Sequence, residues 1–316
     1  MENLIFSLNA TMPVFIMMAL GYVLRQIGVI DDAFASKMNK FVFLVPLPTL
    51  LFSQLSEVDF GSAWDTKFVL FCFFATAFCI AIAFLLSLFI KNKALRGEFV
   101  QASYRSSAAL LGIAFINNIY GDTGFAPLMI IGSVPLYNIM AVIVLSVTSS
   151  EHSEKKMTKT VFLKTLKGIA GNPIIIGIAL GLLWSALKLP VPPIPKKVIA
   201  SIGNVATPMG LIAMGASINI KKAAGHILPS LGASFMKLFG FAAAVLPIAI
   251  LMGFRDSQLV AILIMLTSAT TVSSFVMAKN MGHEGTLTSV TVMLTTVFSA
   301  FSVTLWLFIL RTLALI

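Results

Sequence analysis

Ten apolar stretches of about twenty residues, separated by short polar breaks, constrain this chain more than any other feature. They fall at roughly 4–24, 36–55, 67–90, 98–119, 124–148, 166–187, 197–218, 227–252, 257–279 and 285–310. A stretch of that length crosses the hydrocarbon core of a bilayer as a helix, which satisfies its own backbone where no water is present. Barrel strands would be shorter and would alternate polar with apolar residues. Composition points the same way: 58% of residues are hydrophobic and 11% charged, against about 25% charged in a soluble domain. The net charge of +10 does not signal nucleic acid, because the basic residues cluster in the breaks between apolar stretches, as topology signals do. The N-terminus has no basic region ahead of its apolar run, so it reads as a first span and not as a cleaved leader. The expectation is an all-α membrane protein with ten transmembrane helices.

The breaks also orient the chain. With the N-terminus outside, the inner breaks hold 14 Lys and Arg, among them Lys91, Lys93, Lys155 and Lys156, and the outer breaks hold 6. That bias puts both termini on the outer side. Within the chain, Pro13, Ala19, Leu20 and Gly21 recur 160 residues on as Pro173, Ala179, Leu180 and Gly181. Pro48 recurs as Pro208, and Gly121 and Gly124 recur as Gly282 and Gly285. This offset divides the chain into a first five-helix repeat (1–150), a short cytoplasmic linker (151–165) and a second repeat (166–316). An odd number of spans per repeat inverts the second half. Inverted repeats of this kind build secondary transporters, with substrate near the midplane between broken helices.

Charge inside the spans is sparse. No acidic residue lies mid-span: Glu57 and Asp59 end the second stretch and Glu98 opens the fourth. A buried carboxylate relay is therefore not expected. Two cations do lie within spans, Arg105 and Lys237. A charge at that depth needs a partner or a purpose, and guanidinium grips carboxylates with paired hydrogen bonds. Both residues are read as a positive vestibule for an anion. Small residues at helical spacing from Lys237 (Ala233, Gly240, Ala244) suggest that its face packs against protein. Hydroxyls crowd the fourth and ninth stretches: Ser103, Ser106 and Ser107, then Thr267, Ser268, Thr270, Thr271, Ser273 and Ser274. Such side chains bend helices by bonding to carbonyls one turn back and can also hydrogen-bond a carboxylate. Asn138 is a further polar candidate for substrate contact. Pro46, Pro48 and Pro208 are read as structural kinks, with Asn204 one turn before Pro208 to satisfy freed backbone or line the path. Gly177 and Gly181 suggest close helix packing. Cys72 and Cys79 imply no disulfide framework, and His152, His226 and His283 are too far apart to suggest a metal site. No phosphate loop, zinc spacing or nucleophile elbow marks an enzyme.

Three motifs are recognisable: YRSSAALLGIAF (Tyr104–Phe115), NKFVFLVPLPTLLF (Asn39–Phe52) and SSFVMAKNMG (Ser273–Gly282). Together, and in order along essentially the whole chain, they resemble the auxin efflux carrier family, which includes bacterial permeases for malate, malonate and similar acids. The resemblance implies a scaffold of spans 1, 2, 6 and 7, a moving transport domain of spans 3–5 and 8–10, and crossed spans 4 and 9 at the substrate site. It places Gly112, the motif glycine, beside the crossing, and implies a homodimer formed through the scaffold. The chain departs from the family pattern at Ser107, where Asn is common, at Ala114, where Pro is common, and at Ala269-Thr270-Thr271 in place of the usual proline region. The resulting expectation is a secondary active transporter of small organic anions, mono- or dicarboxylates such as malate or malonate or auxin-like acids, working in the cell membrane by elevator-type alternating access. It would need no cofactor, would couple to H+ or Na+ if to any ion, and would have membrane lipid and substrate but no nucleic acid as partners. The alternatives are a sodium-coupled symporter of the bile acid type and a non-transporting receptor or channel.

Overall fold

The computed structural model describes residues 2–56, 64–108, 116–117, 119–121, 124–148, 167–218 and 220–316. Gly112, Ala114, Glu57, Asp59, His152 and the 151–165 linker lie outside the described residues. Among the described residues the structure is helical, with no strand.

Among the described residues six stretches are long and apolar enough to cross a membrane: Asp32–Ser56, Thr66–Ser87, Ala126–Thr148, Pro193–Ala216, Ile227–Leu251 and Thr286–Thr312. Shorter apolar helices cover Met12–Gln26, Pro173–Ala186 and Asp256–Thr267. Large apolar side chains such as Phe74, Leu183, Ile194, Phe235 and Phe308 stand exposed on the outside, a surface suited to lipid and not to water.

Several stretches are helix pairs. The first helix, α1 (Glu2–Gln26), is followed by α2 (Asp32–Leu44) and α3 (Pro46–Ser56), which meet at a break at Val45. Asp31 opens α2 by accepting from the Phe34 amide at 2.6 Å, a side-chain N-cap. Next come α4 (Thr66–Ser87), α5 (Arg96–Tyr104) and α6 (Ala126–Thr148). In the second half α7 (Pro173–Ala186) starts with Pro173 behind the Asn172 cap. It precedes α8 (Pro193–Asn204) and α9 (Ala206–Ala216), which meet at Val205. Val45 and Val205 are 160 residues apart, and each break is followed at once by the prolines read as kinks, Pro46 and Pro48 in α3 and Pro208 in α9. A short α10 (Ile220–Gly225) leads into α11 (Ile227–Phe235), a π-helical turn (Met236–Gly240) and α12 (Phe241–Leu251). The chain ends with α13 (Asp256–Thr267), α14 (Ser273–Asn280) and α15 (Thr286–Thr312).

The matched glycines behave alike. Gly121 and Gly124 have φ of 80° and 44°, and Gly282 and Gly285 have 83° and 74°, a region that only glycine enters without strain.

The helices pack in two groups. In one, α1 packs on α9 and α7 packs on α3, with α2 and α8 alongside. Glycines allow both crossings. A Cβ on Gly215 would run into the Met18 carbonyl, one on Gly21 into the Ile212 carbonyl, and one on Gly177 would sit 2.6 Å from the Pro48 carbonyl. A Cβ on Gly181 would sit 3.0 Å from both Phe52 and Leu55 on α3. The second group joins α4, α5, α6 and α11 to α15 around a core rich in Leu, Ile and Met from α13. The groups meet where α1 lies against α15 and α14 lies against α2 and α9.

The small stripe expected beside Lys237 is corrected by the π-helical turn. Ala233 and Lys237 are buried, but Ala244 is exposed, and the buried face continues through Phe241, Ala242 and Val245. A π-turn inserts a residue into the helical register and rotates the helix beyond it.

Candidate functional site

Two helices stop in the middle of the second group without a proline. The α5 helix ends at Tyr104, and Arg105 is extended, with φ −68° and ψ 139°. The α13 helix ends at Thr267, and Ser268 is likewise extended, with φ −66° and ψ 155°. Before each break a hydroxyl bonds back one turn, Ser103 to the Phe99 carbonyl at 2.7 Å and Thr267 to the Leu263 carbonyl at 2.8 Å. The two extended segments lie against each other: the Ser107 amide donates to the Ala269 carbonyl at 2.9 Å, and the Ser106 and Ser268 hydroxyls share a hydrogen bond.

A helix end buried in an apolar setting leaves carbonyls that need donors. Side chains supply them here. Thr270 Oγ1 donates to the Ala102 carbonyl at 2.8 Å, and the Thr270 amide finds Thr295 Oγ1 at 3.0 Å. At the end of α13, Lys237 Nζ donates to the Met265 and Leu266 carbonyls at 3.2 and 2.8 Å, and the Tyr137 hydroxyl also donates to Met265 at 3.2 Å. A cation suits the negative end of a helix dipole. The structure thus assigns Lys237 to the α13 terminus; it does not line the cavity described below.

Arg105 is 1% exposed. Its Nη2 donates to Asn138 Oδ1 and Ser273 Oγ, both at 2.7 Å, and its Nη1 reaches Met277 Sδ at 2.8 Å and Gln101 Oε1 at 3.4 Å. Its Nε has no hydrogen-bond partner. All four partners are neutral, and among the described residues the one ion pair joins Arg25 to Asp32. The guanidinium is thus fixed in position, yet its charge is uncompensated.

Beside it lies a cavity of about 60 Å³ between the two helix groups. Arg105, Ser106, Ser107, Asn138, Thr271 and Ser273 line it from the second group, together with Tyr137. From the first group it is closed by Val42, Leu47, Leu50, Leu51, Gln54, Ala206 and Thr207. The start of α14 faces it through Thr271 to Ser273, which adds the positive end of a helix dipole. Ser268 and Thr270 sit just behind, holding the break together. Asn204 is exposed and does not line the cavity. The prolines Pro46, Pro48 and Pro208 open or interrupt the helices that close it.

Four polar residues were not singled out from the sequence. Gln101 links α5 to the Ser274 carbonyl at 2.9 Å and accepts from Arg105. Gln54 and Thr207 face the cavity from α3 and α9. Glu98 is buried at the start of α5 and receives the Gly285 amide, the Thr288 amide and the Thr288 hydroxyl at 2.8, 3.0 and 3.0 Å. It therefore caps α15, whose own N-cap, Gly285, has no side chain to do so. The only hint in the sequence was the position of Glu98 at the edge of an apolar stretch.

The chain is similar to known membrane transport proteins. The profile of a family described as "Membrane transport protein" matches residues 6–307. An "Uncharacterized transporter" of Methanothermobacter thermautotrophicus is 21% identical over 308 residues, covering 95% of this chain and 97% of that protein. A Rhizobium meliloti protein named "Putative malonate transporter" is 24% identical over 314 residues, covering 96% of each.

Proposed function

The chain belongs to the membrane transport protein family, the family its motifs resemble, and from that premise we propose that it is a secondary active transporter of small organic anions. The observation that carries the substrate charge is Arg105: a buried guanidinium with neutral partners only, beside a cavity lined by hydroxyls and an amide. An uncompensated cation at that depth is costly, and a carboxylate in the cavity would neutralise its charge. The malonate named for the Rhizobium relative belongs to this class of anion.

The reading extends to architecture and movement. Ten spans are arranged as two inverted repeats of five, with both termini outside the cell membrane. The group built on α1, α2, α3, α7, α8 and α9 is the scaffold, and its outer face pairs two copies. The group holding the broken helices carries the anion past it, as an elevator. The position of the cavity between the groups supports this division, as does the recurrence of breaks at Val45 and Val205.

Reconstitution in liposomes tests the function. Wild-type protein takes up labelled malonate or a related carboxylate. At equal incorporation, Arg105→Ala lowers uptake by about a hundredfold or more, the scale on which buried polar recognition discriminates. Wild-type uptake no faster than in empty liposomes, for every carboxylate tried, would refute the proposal.

A further inference from the structure

Among the described residues the cavity lining holds one charge and, from the other helix group, two unused polar side chains. Gln54 on α3 and Thr207 on α9 line it, are half-buried, and make no hydrogen bond among the described residues. Arg105 lies on the opposite wall, with the start of α14. Among the described residues no other charged side chain lines the cavity. The charges on the helices packed around it are elsewhere. Asp32, Lys37 and Lys40 of α2 and Lys279 of α14 are exposed, Arg96 of α5 donates to the Ile90 and Leu88 carbonyls, and Lys237, behind Tyr137, is bound to the α13 carbonyls. Glu98 is held by Gly285 and Thr288.

We infer that the site selects a singly charged anion with a hydrogen-bonding far end, and that Gln54 and Thr207 read that end. A second ionised carboxylate would face an amide and a hydroxyl with no cation to compensate it, and burying such a charge is strongly unfavourable. A protonated carboxyl, an amide or a hydroxyl fits instead. The amide of Gln54 accepts from its O–H or N–H and donates to its carbonyl, and Thr207 does either. A purely apolar end leaves both groups unpaired, the situation that rejects analogues most strongly. A dicarboxylate therefore enters as its half-protonated monoanion. This inference rests on the anion-transport reading of the same cavity.

Ligand-dependent thermal shifts of the purified protein test it. The probes are malonate, malonamate (a fixed monoanion with an amide end) and propionate (a monoanion with an apolar end), titrated from pH 5 to pH 7.5. The expected apparent affinity for malonamate is independent of pH. That for malonate weakens about tenfold per pH unit above its second ionisation, by proton linkage. Propionate binds at least about tenfold more weakly than malonamate. Gln54→Leu closes the gap between malonamate and propionate, while Gln54→Lys makes malonate the tighter ligand at pH 7.5. Malonate binding that is equally tight at both ends of the pH range overturns the inference and leaves anion transport standing. So does an unchanged gap in Gln54→Leu. No stabilisation by any of the three anions overturns the inference and the transport reading together.

Discussion

Arg105 and Lys237 are both buried cations within apolar stretches, and their surroundings give them different tasks. Arg105 spreads its two Nη groups over side chains from three elements, Gln101, Asn138, and Ser273 with Met277. A lysine cannot reproduce that planar fork. Arg105→Lys is therefore expected to retain the charge but lose at least about tenfold in uptake, measured in liposomes beside the alanine variant. Lys237 serves two backbone carbonyls at the end of α13. Lys237→Met leaves the Leu266 carbonyl without that donor, which costs about 1–3 kcal/mol for a buried acceptor. The expected result is a lower melting temperature in detergent with anion affinity unchanged in the folded fraction. A selective loss of anion affinity with full stability would return Lys237 to the vestibule role first read from the sequence.

At the scale of elements, the breaks after α5 and α13 form without a proline. Hydroxyls and amides replace the lost helical bonds: Thr270 occupies the Ala102 carbonyl, and Thr295 the Thr270 amide. Thr270→Val keeps the shape and removes the donor. It should lower the melting temperature by an amount corresponding to about 1–3 kcal/mol and reduce uptake, because the freed carbonyl favours rewinding of the helix. The hydroxyl run in the sequence located these segments, but it did not reveal which hydroxyl meets which carbonyl, since the partners lie as far apart as 168 residues. The glycine crossings are the other decisive contacts. Gly215→Val drives a side chain into the Met18 backbone. Overpacking of that kind costs about 1–3 kcal/mol or more, which thermal melting of the variant would show as destabilisation. The Ala244 side of α12 illustrates a failure of periodicity: the π-turn at Met236–Gly240 shifts the register, and no residue in that turn announces it.

The whole molecule makes its own prediction about topology. Cys72 and Cys79 are both buried, so single added cysteines report cleanly to an impermeant maleimide on intact cells. A cysteine at Lys93 or Lys279 should be protected, and one at Lys188 or Lys196 labelled, if both termini lie outside. The opposite pattern would invert the proposed orientation. Apolar length and spacing made most of the spans legible, because lipid imposes a minimum helix length on any sequence that crosses it. The two-group packing was not legible from that pattern, since it depends on which small residues meet across helices.

Taken alone, the sequence determined that this chain is a helical membrane protein, where most of its polar breaks lie, and that Arg105 and Lys237 are the charges within spans to explain. Those properties follow from local composition and from the dielectric cost of lipid, which act on each segment independently. The tertiary structure decided the rest. It separated Arg105 from Lys237, gave Glu98 to the start of α15, and brought Gln54 and Thr207 to face the guanidinium across one cavity. Each of these is a meeting between elements far apart in the chain, and it is set by packing geometry, which local pattern does not encode.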